Sequence, residues 1–239
     1  MRYGRTGRFA ILAYLITVLL LASCEKQSET TGETGRNKET GMRIETLVVG
    51  QIQTNCYVVW DEESKDAAVI DPGGDEKRIK AFIDKNGLKL KAILLTHGHW
   101  DHVSGCKGLK NLTDAPVYAH KDITGTGGCE TAGELVEGEA FKAGSLQFDI
   151  IHTPGHEPGN VCLHIDNALF VGDLIFRGSV GRTDLAGGSL DQLLRSIAIR
   201  ISELPDDTRV FSGHGPATKL GWERENNPYF QLAKERVGG

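Results

Sequence analysis

The chain is poor in aromatic side chains: Phe, Trp and Tyr make up 7% of its 239 residues. That is too few for a platform on which nucleic-acid bases could stack. Positive charge is also short, with 27 Lys and Arg against 32 Asp and Glu and a formal net charge of −5. Arg2, Arg5 and Arg8 all precede the first acid, Glu25, so the remainder is more acidic still. Such a surface gives no electrostatic help toward a phosphate backbone, and nucleic acid is not an expected partner. Long apolar runs are missing as well. The uncharged, mostly apolar stretch at 9–22 has only 14 residues, short of the roughly 20 that a spanning helix needs. No CxxC pair and no internal repeat occurs. What is present is ordinary globular usage, 39% hydrophobic and 25% charged residues, which excludes disordered and collagen-like chains.

The N-terminus has the pattern of an export signal, a basic start followed by the short apolar stretch. It ends in Leu21-Ala22-Ser23-Cys24, which resembles the bacterial lipobox. That resemblance implies cleavage before Cys24, lipidation of its thiol, and a membrane-anchored protein facing the periplasm or the cell exterior. A retained signal anchor is the alternative. Residues 25–41 contain no apolar side chain and are rich in Glu, Thr and Gly. They cannot bury enough surface to offset their ordering entropy and are expected to be a flexible leash. The expected organisation is a signal peptide at 1–23, Cys24 with a linker at 24–41, and a folded domain at 42–239. Cys56, Cys106, Cys129 and Cys162 follow no recognisable disulfide framework, so buried free thiols are expected.

Within the folded part, residues 46–60 are rich in Val, Ile and Tyr, broken by Gln51, Gln53 and Asn55, and read as a hairpin. Residues 67–70 form an apolar strand stopped by Asp71-Pro72-Gly73-Gly74. Residues 75–86 carry Ile79, Phe82 and Ile83 at helical spacing before the stop at Gly87. A strand at 92–95 leads directly into Thr96-His97. Further strands are expected at 146–152, 161–165, 168–171 and 208–212. A helix is expected at 190–201, with Leu193, Leu194, Ile197 and Ile201 on one face. Strands with a helix between every few predict an α/β layered sandwich in a single domain.

The densest chemistry is His97-Gly98-His99-Trp100-Asp101-His102, placed directly after an apolar strand. Four ligand-type side chains in six residues are costly to bury unless metal or hydrogen bonds satisfy them. Imidazole and carboxylate at this spacing are what zinc sites use, the bland alternative being a solvated loop. Gly98 lets the backbone turn so that His97 and His99 aim at one point. His156, Asp173 and His214 each stand in a glycine-containing loop that follows an apolar run. Singly they are weak signals; together they form an ordered set.

In that order the motifs resemble the five-motif pattern of the metallo-β-lactamase superfamily, from Thr54-Asn55-Cys56-Tyr57 to the tail. The resemblance implies a four-layer αβ/βα sandwich with metals at one edge. Asp173 stands where class B1 β-lactamases have cysteine, which places the chain with hydrolases that use a bridging aspartate. Residues 176–184 and the ending at 204–229 resemble single-domain, glyoxalase II-like hydroxyacylglutathione hydrolases. By position, His97, His99 and His156 would hold one metal, and Asp101, His102 and His214 the other. Asp173 would bridge them.

Two Zn2+ ions are the expected cofactors, with iron or manganese also compatible with these donors. The implied activity is hydrolysis of a small hydroxyacyl thioester of the S-lactoylglutathione type. A hydroxide shared by the metals would act with Asp101 and Asp173 as catalytic residues. Arg177 and Arg182 are candidates for binding a substrate carboxylate, unless Arg182 is engaged by Asp184. Trp100 is expected to shield one side of the pocket, and Lys142 and the loop at 125–128 are candidates for lining it. His120, His152 and His164 read as ordinary histidines. Only 25 residues follow His214, room for a short helix or two. The alternatives are an iron persulfide dioxygenase using His97, His156 and Asp173, a lactonase or other ester hydrolase, and a non-enzymatic metal-binding lipoprotein.

Overall fold

The computed structural model describes residues 35–36 and 41–237. The expected signal peptide, Cys24 and nearly all of the linker lie outside the described residues. The first half of the chain builds a seven-stranded sheet in chain order: β1 (Gly35–Arg36), β2 (Met42–Val49), β3 (Thr54–Asp61), β4 (Asp66–Ile70), β5 (Lys89–Leu94), β6 (Val117–Ala119) and β7 (Gly133–Glu134). The strands β1 to β4 are antiparallel and β4 to β7 parallel. Parallel pairing requires crossovers, and these hold α1 (Glu76–Lys85), α2 (Trp100–Val103) and α3 (Cys106–Thr113).

The second half adds β8 (Ala140–Ala143), β9 (Leu146–His152), β10 (Val161–Ile165), β11 (Ala168–Gly172), the small hairpin β12 (Ile175–Phe176) and β13 (Ser179–Val180), α4 (Leu190–Ser196), β14 (Arg209–Ser212), β15 (Thr218–Lys219), α5 (Leu220–Asn226) and α6 (Pro228–Val237). Its sheet runs β15-β14-β11-β10-β9-β8. The helix expected over 190–201 is α-helical only to Ser196; Ile197–Ile201 continues it as a π-helix. Ser189 starts it by accepting a hydrogen bond from Gln192 N at 3.3 Å.

Three apolar clusters make the order of layers. Between the sheets, Tyr57, Phe148, Phe170 and Phe211 pack with the inward residues of both. Tyr57 meets Phe170 and Phe211 edge-on at 5.1 and 5.5 Å, and donates its hydroxyl to Ser212 O at 2.5 Å. Outside the first sheet, Ile79 and Ile83 of α1 and Leu109 of α3 cover Val58, Val69 and Ile93. Outside the second, Leu193, Leu194 and Phe230 cover Leu169, Val171 and Val210. Every residue of β3 before Asp61 is buried, as a strand covered on both faces requires. The result is the expected four-layer α/β sandwich. Cys56, Cys106, Cys129 and Cys162 are free and buried, as read from the sequence. Among the described residues no helix is long and apolar enough to cross a membrane.

This topology gathers the functional loops at one edge. The loops after the C-terminal ends of β4, β5, β9, β11 and β14 carry Asp71, His97 and His99, His156, Asp173, and His214 respectively.

Candidate metal centre

His97 stands three residues past β5 and is wholly buried, while Asp101 and His102 lie in the single turn of α2, also buried. The turn between them depends on Gly98. A Cβ there would sit 2.4 Å from Gly125 N, so no other residue lets the backbone pass this close to the 125–128 loop. Gly98 N also donates to Glu157 Oε1 at 2.9 Å, and Thr124 Oγ1 donates to the other oxygen of Glu157. That buried carboxylate ties three loops together behind the histidines.

Two groups of donors result. His97, His99 and His156 present donor atoms within 4.8 Å of one another, and Asp101, His102 and His214 do the same; Asp71 is as close to His97 and His102 but is engaged by His102 Nδ1 and Thr96. Asp173 lies between the groups. Its Oδ2 is 3.6 Å from His156 Nε2, 4.0 Å from His97 Nε2 and 3.9 Å from His214 Nε2. Its Oδ1 is 3.3 Å from His102 Nε2. All seven residues singled out in the sequence are therefore brought together.

The outer side of three imidazoles is fixed by a hydrogen bond, and the bonds determine the tautomers. His102 Nδ1 donates to Asp71 Oδ2 at 2.9 Å. Thr96 spends its hydroxyl proton on the same Oδ2, at 2.5 Å, so it can only accept from His97 Nδ1, 3.1 Å away. His156 Nδ1 donates to Arg182 O at 2.8 Å. In the neutral form of each ring this leaves Nε2 as the lone-pair atom, facing inward. Such outer partners orient a metal-binding imidazole and raise its basicity.

These inward atoms have nothing to bond to. Nε2 of His97, His102 and His156 and Oδ1 of Asp173 are buried without a hydrogen-bond partner. His102 Nε2 and Asp173 Oδ1 are close, but not aligned as donor and acceptor. Each orphaned polar atom costs about 1–3 kcal/mol, and four of them converging on one space are what cations would satisfy. The same neighbours set the protonation of the donors. Burial and the neighbouring imidazoles push His97 well below its usual range, which keeps its ring neutral. Burial works against charge on His102, yet Asp173 and Asp71 outweigh it and push its pKa up to about 10. Burial likewise opposes ionisation of Asp101, but His214 and His102 prevail and hold it at about 2. A cation entering the second group must displace the proton of His102, so metal uptake at neutral pH should release protons.

A profile described as the metallo-beta-lactamase superfamily matches residues 49–214. The chain belongs to that superfamily. Hydroxyacylglutathione hydrolase GloC of Haemophilus influenzae is 35% identical over 208 residues, covering 79% of this chain and 98% of the relative. The BLEG-1 B3 metallo-beta-lactamase superposes with a TM-score of 0.73 at 35% identity, covering 78% of this chain and 98% of that one. TTHA1623 in a di-iron-bound form gives a TM-score of 0.69 at 36% identity, over 77% and 99% of the two chains. The protein is thus a metallo-hydrolase of the superfamily.

An open cleft of about 500 Å³ leads to the centre, with walls from Ile52, Trp100, Phe176, Val180, Leu185 and Arg182. Trp100 is 58% exposed at its rim. Arg182 grips Asp184 with Nε to Oδ1 at 2.7 Å and NH2 to Oδ2 at 2.8 Å, the pairing weighed against substrate binding. Arg177 corrects an expectation. It does not line the cleft; its guanidinium lies 4.8 Å above the Trp222 ring. Lys142 is likewise elsewhere, exposed on β8 at the outer edge of the second sheet. His120 and His152 stack on each other at 4.1 Å, away from the donors.

Sequence reading missed Asp71, Thr54 and Glu157. Thr54 Oγ1 donates to Asp101 Oδ2 at 3.1 Å, and Asp71 collects three donors: His102 Nδ1, Thr96 Oγ1 and, at 2.7 Å, Thr96 N. The available signal was an acid at the C-terminal end of an apolar strand, on the same edge as the histidines. Asp71→Asn should keep the φ of 50°, which Asn tolerates, while the NH2 that replaces one carboxylate oxygen confronts at least one of these donors. Metal affinity is expected to fall roughly 10–100-fold, measured by competition with a chromogenic chelator.

Proposed function

We propose that the protein is a dinuclear metal-dependent thioesterase acting on a small hydroxyacyl thioester of the S-lactoylglutathione type. The observation that carries this reading is the Asp173 carboxylate, which faces histidines of both donor groups. Within it, His97, His99 and His156 would hold one cation, Asp101, His102 and His214 a second, with Asp173 shared. Cations bound there would polarise a substrate carbonyl and bring the pKa of a water from about 15.7 toward 7. The donors accept zinc or iron, and the di-iron form of TTHA1623 fits the second choice. A single-iron arrangement on His97, His156 and Asp173 would leave buried His102 Nε2 unsatisfied, which favours two cations.

The remaining residues support a leaving group that needs no proton. Asp101 is held ionised at about 2 and Asp173 is held below the usual carboxylate range. Neither carboxyl is a proton donor at neutral pH. A cysteine-like thiolate leaves unaided, since its conjugate acid has a pKa near 8.5, whereas an amine or alkoxide does not. The apolar walls exclude water from the carbon chain, and Trp100 covers one flank. With its fork occupied by Asp184, Arg182 is not the main grip on substrate. Arg182→Ala is expected to leave metal content and kcat unchanged and to move KM less than about threefold, as for other exposed ion pairs. The backbone carbonyl that orients His156 survives this change.

In the same proposal, the resemblance of the sequence ending at Cys24 to a lipobox supports a position outside the cytoplasm on a lipid anchor. The test of function is a panel: S-lactoylglutathione, its oxygen-ester counterpart and a β-lactam, each with and without chelator. Metal-dependent turnover confined to the thioester supports the reading. Faster turnover of the β-lactam would transfer it to the chemistry named for BLEG-1.

A further inference from the structure

Two thiols with no part in the metal chemistry are buried in one apolar cluster beneath the first sheet. Cys106 opens α3 and is fully buried, and Cys129 lies in the loop between β6 and β7 and is 7% exposed. Contacts on either side of Cys129 fix the approach. A Cβ on Gly127 would meet Val103 O at 2.0 Å, one on Gly128 would meet Lys107 Cδ at 3.8 Å, and Lys110 Nζ donates to Glu130 O at 2.8 Å. The neighbours of Cys129 thus touch Lys107 and Lys110, one and four residues after Cys106 in α3. A tight turn holds the loop in place: Cys129 N donates to Thr126 O at 3.1 Å and Thr126 Oγ1 donates to Cys129 O at 2.7 Å. Within this bracket both side chains are buried in one apolar cluster; burial first, and then Cys129, raise the Cys106 thiol above its ordinary range. Cys162, by contrast, faces the hydroxyl of Thr153 at 3.4 Å.

We propose that Cys106 and Cys129 are a disulfide-forming site that staples the loop after β6 to α3. The step is thiol–disulfide exchange with a small-molecule disulfide. The Cys129 thiolate attacks one of its sulfurs, its S–S bond breaks, and one thiolate departs. The Cys106 thiolate then attacks the Cys129 sulfur and releases the second thiolate. Two protons pass from the cysteines to the released thiols, and the two electrons the cysteines lose reduce the external disulfide. Burial keeps the Cys106 thiol protonated in the closed fold, so the bond forms as the chain folds or as the loop opens. The loop carries Gly125, packed on Gly98, and Thr124, bonded to Glu157. The staple therefore secures the backing of the metal centre.

The bond closes a segment 23 residues apart in sequence, and loops of that size gain enough to raise Tm by roughly 5–10 °C. The test is to refold the full chain in mixed oxidised and reduced glutathione, alkylate, and map the unreduced digest. The expected product links Cys106 to Cys129, leaves Cys56 and Cys162 alkylated, and loses the Tm increment on reduction. Cys129→Ala should lack the link and match the reduced protein in Tm. Links to Cys56 or Cys162, a persistent glutathione adduct, or four alkylated thiols would overturn the proposal. A correct link without a Tm change would overturn the staple.

Discussion

Asp173→Ala is expected to abolish thioester hydrolysis and to lower bound metal from two ions per chain to one or fewer. Of the histidines described, Asp101 approaches His102 and His214 alone, at 3.4 and 3.0 Å. Asp173 approaches His102 and His214 of one group and His97 and His156 of the other, all within 4.0 Å. Removing it leaves five imidazoles and Asp101 around the space with no shared anion, so two cations would repel without compensation. Loss of roughly a thousandfold or more in kcat/KM corresponds to ~4 kcal/mol of transition-state stabilisation. Metal content by elemental analysis, with circular dichroism as the check on folding, measures this. Full loading and unchanged turnover in the variant would contradict the shared position.

Gly213→Ala should be nearly as damaging, though the residue offers no ligand atom. An added Cβ would lie 2.2 Å from Asp173 Oδ1 and 2.4 Å from His102 Cε1, inside the space the cations need. The backbone cannot retreat. Gly213 N donates to Gly172 O at 2.8 Å, and Gly213 O accepts from Asn55 N at 2.7 Å. Asn55 Nδ2 fastens the same loop by donating to Ser212 O and Gly215 O, both at 2.9 Å. Relief must come from Asp173 or His102 moving out of place, and a 1 Å misplacement costs on the order of a hundredfold in rate. Metal content should fall as well. A variant with normal loading and turnover would show that the loop yields where the bonding pattern says it cannot.

The donors were legible because they violate the usual partition of residues. His97, His99, Asp101 and His102 follow an apolar strand so closely that burial is forced, and burial of such groups demands a partner. The residues that orient them were not legible, because their partners are remote in sequence. Asp71 reads locally as the start of a turn, and only the parallel pairing of β4 with β5 carries it to His102. Thr54 and Asn55 read as polar interruptions of a hairpin, yet both are buried and serve Asp101 and the loop of His214. Arg177 and Arg182 looked equivalent because spacing says nothing about which way a hairpin turns its side chains. The β12–β13 turn sends Arg177 onto Trp222, on the helix α5 that the tail supplies. Of the fold, the long strands β9 and β10 matched their apolar runs residue for residue. Short elements such as β6, of three residues, and β8, mostly exposed, carry too little pattern to be read alone.

The most direct test of the central claim is a zinc titration of the metal-free protein, following thiol release from S-lactoylglutathione at each addition. The account predicts that turnover appears as the second equivalent binds, with proton release accompanying uptake. Full turnover at one equivalent, or two bound ions with no thiol released, would contradict it.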